Sequence, residues 1–240
     1  MARHSKWHKV RQFKGAIDAK RAASFTKLAR EITVAVKEKG ADMATNVRLK
    51  VAIERAKKAS MTKDTIERAV QRGAGGSGEG QLETPTYEAY APGGTALVIE
   101  CVTDNKNRST NDVKHLVTKA GGTLASAGAV TYLFDRVGVV RVPGGLPADR
   151  REEMELALIE AGATDIVDDE NETDVRSAPA DLAAVASAAQ SLGLAIDSAD
   201  FEWIPKVTVE TNEETGLIVA ELIDDLEALD DVSRVYSNLA

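Results

Sequence analysis

Several groups of residues in this sequence are of types that carry chemistry, and most lack the partners that chemistry needs. His4 and His8 lie four apart, a spacing that sets two imidazoles on one helix face. A peptidase-type zinc site would add a Glu between them and a third ligand, and neither is present. Their expected role is polar and stacking surface, with no metal. Cys101 and His115 form the one available Cys–His pair, but Cys101 sits in the apolar run 95–103, where a small buried core residue is expected and a nucleophile is not. Two acidic clusters, Asp168, Asp169, Glu170, Glu172 and Asp174, then Asp224, Asp225, Glu227, Asp230 and Asp231, lack the fixed spacing and flanking glycine loop of a cation site. They read as solvated faces that repel nucleic acid from the rest of the chain.

The first thirty residues are different. They hold nine Lys or Arg (3, 6, 9, 11, 14, 20, 21, 27 and 30) against one acid, Asp18, with Trp7 and Phe13 interleaved, in a chain of net charge -8. Residues 1–72 carry 19 Lys and Arg against 7 Asp and Glu; residues 73–240 carry 11 against 31. A basic module of net +12 is therefore joined to an acidic body of net -20. Such polarity points to an anionic partner for the basic part, and nucleic acid is the expected one.

A third feature is the turn Thr103-Asp104-Asn105-Lys106-Asn107-Arg108, placed between a buried strand and a helix start. Backbone N–H groups and short polar side chains there can meet phosphate or ribose. Helix capping by Asn107 or Ser109 explains part of the composition. Asn105, Asn107 and Arg108 together exceed what capping requires.

The elements that position these residues follow from periodicity. At 240 residues the chain can bury roughly 70–75% of its unfolded surface. Its 43% hydrophobic and 28% charged residues read as globular. One cysteine excludes an internal disulfide and a thiolate metal cage and fits a reducing compartment. No apolar run approaches the length of a membrane span, so no membrane partner is expected, and the N-terminus lacks a secretory signal. The expected location is the cytoplasm, and the expected state a monomer.

Phe25, Leu28, Ala29, Ile32, Ala35 and Val36 recur at helical spacing up to Gly40, with Lys20, Lys27, Arg30 and Lys37 on the opposite arc. Further helices are predicted at about 45–59 and from the N-cap Thr62 to Gly73, giving a three-helix bundle with a basic exterior, residues 1–73. The Gly-rich stretch within 74–82 reads as a hinge. Gly73, Gly75 and Gly78 match G-x-G-x-x-G by accident, since the match follows a helix and opens none, so no dinucleotide cofactor is expected.

Beyond the hinge the pattern becomes α+β. Strands at 84–90 and 95–103, a helix at 109–121 and a strand at 129–134 precede a compact series. That series has strand 138–142, helix 148–161, strands 165–167 and 173–177, helix 179–192 and strand 194–203, the β-α-β-β-α-β order of a ferredoxin-like unit. Strand 206–210, an acidic helix at 214–229 and strand 232–236 then complete a second such count with the first series inserted in its middle. The expected domains are 83–135 plus 205–240, discontinuous, and 136–204, inserted.

The motifs His4-Ser5-Lys6-Trp7, Phe25-Thr26-Lys27-Leu28, Ile66-Glu67-Arg68-Ala69, Pro92-Gly93-Gly94, Thr103-Asp104-Asn105 with Asn107-Arg108, and Asp230-Asp231-Val232 with Val235-Tyr236 and Asn238 together resemble the YebC/PmpR family. The resemblance runs from end to end. It implies a helical N-terminal domain and two α+β domains, one interrupting the other. It also implies a non-enzymatic regulator, either a probable transcriptional regulator that binds DNA or a translation factor acting on the ribosome. The family commonly has Gly where this chain has Arg3 and Pro where it has Thr62, and neither departure removes a candidate contact. The candidate nucleic-acid-binding residues are Arg3, Lys6, Trp7, Lys9, Arg11, Lys14, Lys20, Arg21, Lys27, Arg30, Asn105, Asn107 and Arg108. No recognition helix or RNA-recognition motif is legible, which favours backbone-directed binding to ribosomal or transfer RNA over a site-specific DNA repressor. The alternative class is a protein-interaction adaptor whose basic bundle binds an acidic protein.

Overall fold

The computed structural model describes residues 25–75, 82–169 and 171–240. Helix α1 occupies residues 25–39 and buries Leu28, Ile32, Ala35 and Val36, the i, i+4, i+7, i+8 stripe of an amphipathic helix. It stops at Gly40, whose φ of 84° and N–H bond to the Val36 carbonyl (2.7 Å) form a left-handed cap. Asn46 caps α2 (Val47–Lys58) by accepting from Leu49 N, and its amide donates to the Ala35 and Gly40 carbonyls at 2.7 and 2.8 Å. One fully buried amide thus fastens the end of α1 to the start of α2. Thr62 caps α3 (Lys63–Gly73) as expected. Gly73 ends it where α3 crosses α1 closely: a Cβ there would lie 2.6 Å from Val36 Cβ and 2.7 Å from the Thr33 carbonyl oxygen.

The chain then forms β1 (Thr86–Tyr90), β2 (Ala96–Cys101), α4 (Lys106–Lys119) and β3 (Thr123–Ala125). Next come β4 (Phe134–Pro143), α5 (Arg151–Glu160), β5 (Ala163–Asp169), β6 (Glu172–Ser177), α6 (Leu182–Ser191) and β7 (Ser198–Pro205). Helix α7 (Glu213–Ala228) and β8 (Val232–Ser237) close the chain. Two four-stranded antiparallel sheets result, ordered β3-β1-β2-β8 and β5-β6-β4-β7. The first draws its strands from both sides of the second in sequence. The fold class is therefore α+β as expected, with N-terminal helices ahead of two sheets.

On the first sheet, alternate residues of β1 and β2 (Tyr87, Ala89, Leu97, Ile99, Cys101) pack against α4 and α7 through Val113, Val117, Val219, Leu222 and Leu226. The other alternates, Ala96 and Val98, pack against Val130, Phe134 and Trp203, so this sheet is covered on both faces. The second sheet packs Val140, Val142 and Val175 against Leu158, Val185 and Ala189 of α5 and α6, joined by Val51 from α2. No helix among the described residues is long and apolar enough to cross a membrane.

Three elements differ in detail from the periodicity. The second sheet has the β-α-β-β-α-β order, but in the first both helices follow the opening hairpin, as β1-β2-α4-β3 and then α7-β8. The strand expected at 206–210 is reduced to one parallel bridge, Val209 to Leu239, because the chain passes the end of β8 without lying along it. The strand expected at 129–134 is a turn up to Leu133, since the buried Glu88 carboxylate takes the N–H groups of Gly128, Val130 and Thr131 at 2.6, 2.7 and 3.0 Å. Those three donors are not left for a ladder. Burial alone would raise the Glu88 pKa; the three backbone donors outweigh it and hold the carboxyl below its ordinary range.

Candidate nucleic-acid interface

The turn after β2 is organised by a residue from the far end of the chain. Thr103 is buried, while Asp104, Asn105, Lys106, Asn107 and Arg108 are exposed. Asn105 caps α4, its side chain accepting from Arg108 N at 3.1 Å; Asn107 and Ser109, the expected caps, do not. Asp231, just before β8 and only 7% exposed, accepts from Thr103 Oγ1 (3.0 Å), Ser109 Oγ (2.8 Å), and Arg108 Nη2 (2.7 Å) and Nε (3.2 Å). Its second oxygen accepts from Arg30 Nη2 of α1 at 2.9 Å. Burial pushes the Asp231 pKa up, but the bonds from Arg108, Ser109 and Thr103 and the Arg30 charge hold it below the usual carboxylate range. The residue expected in a solvated acidic face is thus the centre that joins α1, the α4 N-terminus and β8. Arg108 also pairs with Asp104 at 3.0 Å, so of the three polar residues in this turn Asn107 alone is neither a cap nor an ion-pair partner in the described structure.

The basic arc of the bundle faces the body to a large extent. Lys27 Nζ donates to the Glu227 carbonyl at the end of α7, and Lys37 Nζ donates to the Leu82 carbonyl. Arg48 pairs with Asp200 (2.6 Å) and Glu38, Lys50 donates to Gln190 Oε1 (2.8 Å), and Arg55 pairs with Glu31 (3.1 Å). Asp200 is shared with Arg234 (3.0 Å), which also holds Glu202 (2.9 Å). Arg48 is pulled down by burial but raised on balance by Asp200 and Glu38, whereas burial dominates at Glu31 and raises it. The Arg136 guanidinium lies 5.1 Å from the Phe201 ring centre and 5.8 Å from that of Trp203, whose Nε1 donates to Glu100 at 2.9 Å. Much of the charge read as basic exterior is therefore the seam between bundle and body. Sequence offered no signal for it, because an arginine bound for a distant carboxylate looks like one bound for a phosphate.

Of the candidate residues, Arg3, Lys6, Trp7, Lys9, Arg11, Lys14, Lys20 and Arg21 lie outside the described residues, as do His4 and His8. Lys27 and Arg30 are within the seam, and Asn105, Asn107 and Arg108 sit together at the exposed start of α4. Lys57 and Lys58, at the end of α2, are exposed. Cys101 is buried and its thiol is pushed up to about 12, chiefly by burial, which removes thiolate chemistry at neutral pH. The first acidic cluster is engaged internally: Asp168 with Arg151 (2.8 Å) and Thr173 (2.6 Å), Asp174 with Arg141 (2.9 Å). Among the described residues no three His, Cys, Asp or Glu side chains group as metal ligands.

Residues 5–76 match the family model described as TACO1/YebC protein N-terminal domain, and residues 82–239 match that of TACO1/YebC second and third domain. The chain belongs to this family. It is 47% identical to a probable transcriptional regulatory protein of Persephonella marina, over 99% of this chain and 95% of the relative. A probable transcriptional regulatory protein of Photobacterium profundum is 44% identical, over 99% and 96%. Among solved structures, a conserved hypothetical protein from Aquifex aeolicus is 41% identical and superposes with a TM-score of 0.84, over 93% of this chain and 92% of that one. The two family models together span both sheets and the helices ahead of them, in agreement with the resemblance.

Proposed function

We propose that this TACO1/YebC protein is a non-enzymatic regulator of gene expression that binds nucleic acid through its basic N-terminal part, with structured RNA of the translation apparatus as its target, in the reducing cytoplasm that a single cysteine suits. The observation that carries this reading is nine Lys or Arg against one acid in the first thirty residues of a chain of net charge -8. Relatives named probable transcriptional regulatory proteins support the regulatory role. The lean towards RNA rests on the sequence, where no recognition helix with base-reading residues at fixed positions is legible, which favours backbone-directed binding over a site-specific DNA repressor. A non-catalytic role is supported by the buried Cys101 thiol and by the ion-paired carboxylates Asp168, Asp174 and Asp231.

Ultraviolet crosslinking in growing cells, sequenced from both RNA and DNA libraries, tests this directly. Crosslinks in ribosomal or transfer RNA are expected; crosslinks at promoters with RNA at background would replace RNA by DNA as the target. In vitro, changing Lys6, Lys9 and Arg11 together to Ala should reduce the salt slope of binding by about 2 to 3, from the loss of three phosphate contacts. An unchanged slope removes the N-terminal segment from the interface. Association that survives nuclease treatment would point to a protein adaptor.

A further inference from the structure

Three cavities among the described residues differ in charge. One of about 420 Å³ beside the Asp231 centre sets Arg30 and Arg108 against Asp112, Asp230 and Asp231. A second of about 230 Å³, at the three-way seam, sets three arginines against four carboxylates. The third, about 390 Å³, lies between α1 and α3 and carries Arg30, Arg68 and Arg72 against Asp104, which is itself paired with Arg108. With Asp104 neutralised by Arg108 and Arg30 by Asp231, the exposed Arg68 makes this concavity cationic in a chain of net charge -8, which favours an anion, and its walls are not uniformly polar. Phe25, Ala29 and Ala69 supply an aromatic and aliphatic side, and Thr65 and Gln71 supply hydrogen-bonding groups.

Two further details fit an anionic group. Arg68 is exposed, hydrogen-bonds only the Asp64 carbonyl through Nε, and makes no ion pair among the described residues. Arg30 binds Asp231 through Nη2, while its buried Nη1 has no hydrogen-bond partner. The groove is also continuous in sequence with the basic segment, which joins α1 at Phe25. A volume near 400 Å³ falls at the small end of ligand pockets and is of the size of one nucleotide.

We propose that this groove is a subsite for one unpaired nucleotide of a single-stranded RNA, its base against the Phe25, Ala29 and Ala69 side and its phosphate at Arg68. The proposal rests on the nucleic-acid reading above and adds to it a preference for single strands, because stacking and phosphate contact at one flipped-out nucleotide are open only to an unpaired base. The test uses the full chain and fluorescence anisotropy with a labelled mixed-sequence RNA, offered as a single strand and as a blunt duplex. Arg68→Gln and Phe25→Leu should each weaken single-strand binding about three- to tenfold and change duplex binding less than twofold. Arg68→Gln should also lower the single-strand salt slope by about 0.7. Lys63→Gln, on the same helix but outside the groove, should leave both forms within twofold. Circular dichroism checks folding; should Phe25→Leu unfold, the exposed Arg68→Gln decides alone. Equal loss for single strand and duplex, or no loss, overturns the subsite and leaves nucleic-acid binding standing. Wild-type protein that binds neither RNA overturns both.

Discussion

Asp231→Asn isolates the centre that joins α1, the α4 N-terminus and β8. The substitution keeps the shape, removes the charge, and turns one acceptor oxygen into an NH₂ that faces donors. Thr103, Ser109, Arg108 and Arg30 all donate to this carboxylate. The Asp231 side chain is 8% exposed and that of Arg30 17%, so their pairing counts as a buried one, whereas Arg108 at 48% is discounted for solvent screening. Removing one partner of a buried pair costs about 3–5 kcal/mol, and the acceptor that Asn retains lowers the expectation to about 3 kcal/mol. At a urea slope of about 3 kcal/mol per molar, the unfolding midpoint should fall by about 1 M. The pH dependence supplies a sharper check. Asp231 is depressed in the folded state, so its contribution is complete above the unfolded carboxylate pKa of about 3.9 and is lost as pH falls through the folded value. The gap between wild type and variant should be constant from pH 5 to 8 and narrow as pH falls below about 4. A gap below about 0.5 kcal/mol at pH 7, or one that widens on acidification, would refute the reasoning.

Other perturbations test separate parts of the structure. Arg48→Ala leaves Asp200, 12% exposed at its side chain, with Arg234 as its one ion-pair partner among the described residues, and should lower stability by about 2–4 kcal/mol in thermal unfolding. Gly73→Ala sets a methyl 2.6 Å from Val36 Cβ and should cost about 1–3 kcal/mol despite the better helix propensity of Ala, which a melt of the variant checks. Cys101 should resist thiol reagents at pH 8 in the native protein and react at the rate of a free cysteine in denaturant; fast native labelling would contradict its burial and its pKa near 12.

The bundle was legible because its apolar stripe and caps are local: Leu28, Ile32 and Ala35 sit on one arc, and Thr62 and Gly73 bound α3. The β-α-β-β-α-β run of the second sheet was legible for the same reason, with each element marked by its own periodicity. The turn at 129–133 was not, since a period-2 pattern there is overridden by one buried carboxylate forty residues earlier, Glu88. Asp231 was hidden by its neighbour: in a run of acids nothing local tells the residue that caps a cluster of donors from Asp230, which stays exposed. The 103–108 turn was found as a cluster of polar residues, but its partner lies more than 120 positions away. Distant pairing of this kind decides which arginines stay exposed, and periodicity carries no record of it.

The insertion of the second sheet into the first shapes how the chain can fold. Ala96 N–H reaches the Asn238 side chain 142 positions later, and β2 waits for β8 to complete its sheet. Contacts of such separation are slow to form from an open chain. Phe134 and Pro205, at the two ends of the inserted unit, are register partners across β4 and β7, about 5 Å apart in an antiparallel pair. Once that unit folds, it brings its own ends together, and the long loop between β3 and α7 shortens to the linking residues 126–133 and 206–212. All four strands of the inserted sheet precede β8 in the chain, so the last strand to emerge is the one that completes the first sheet beside β2.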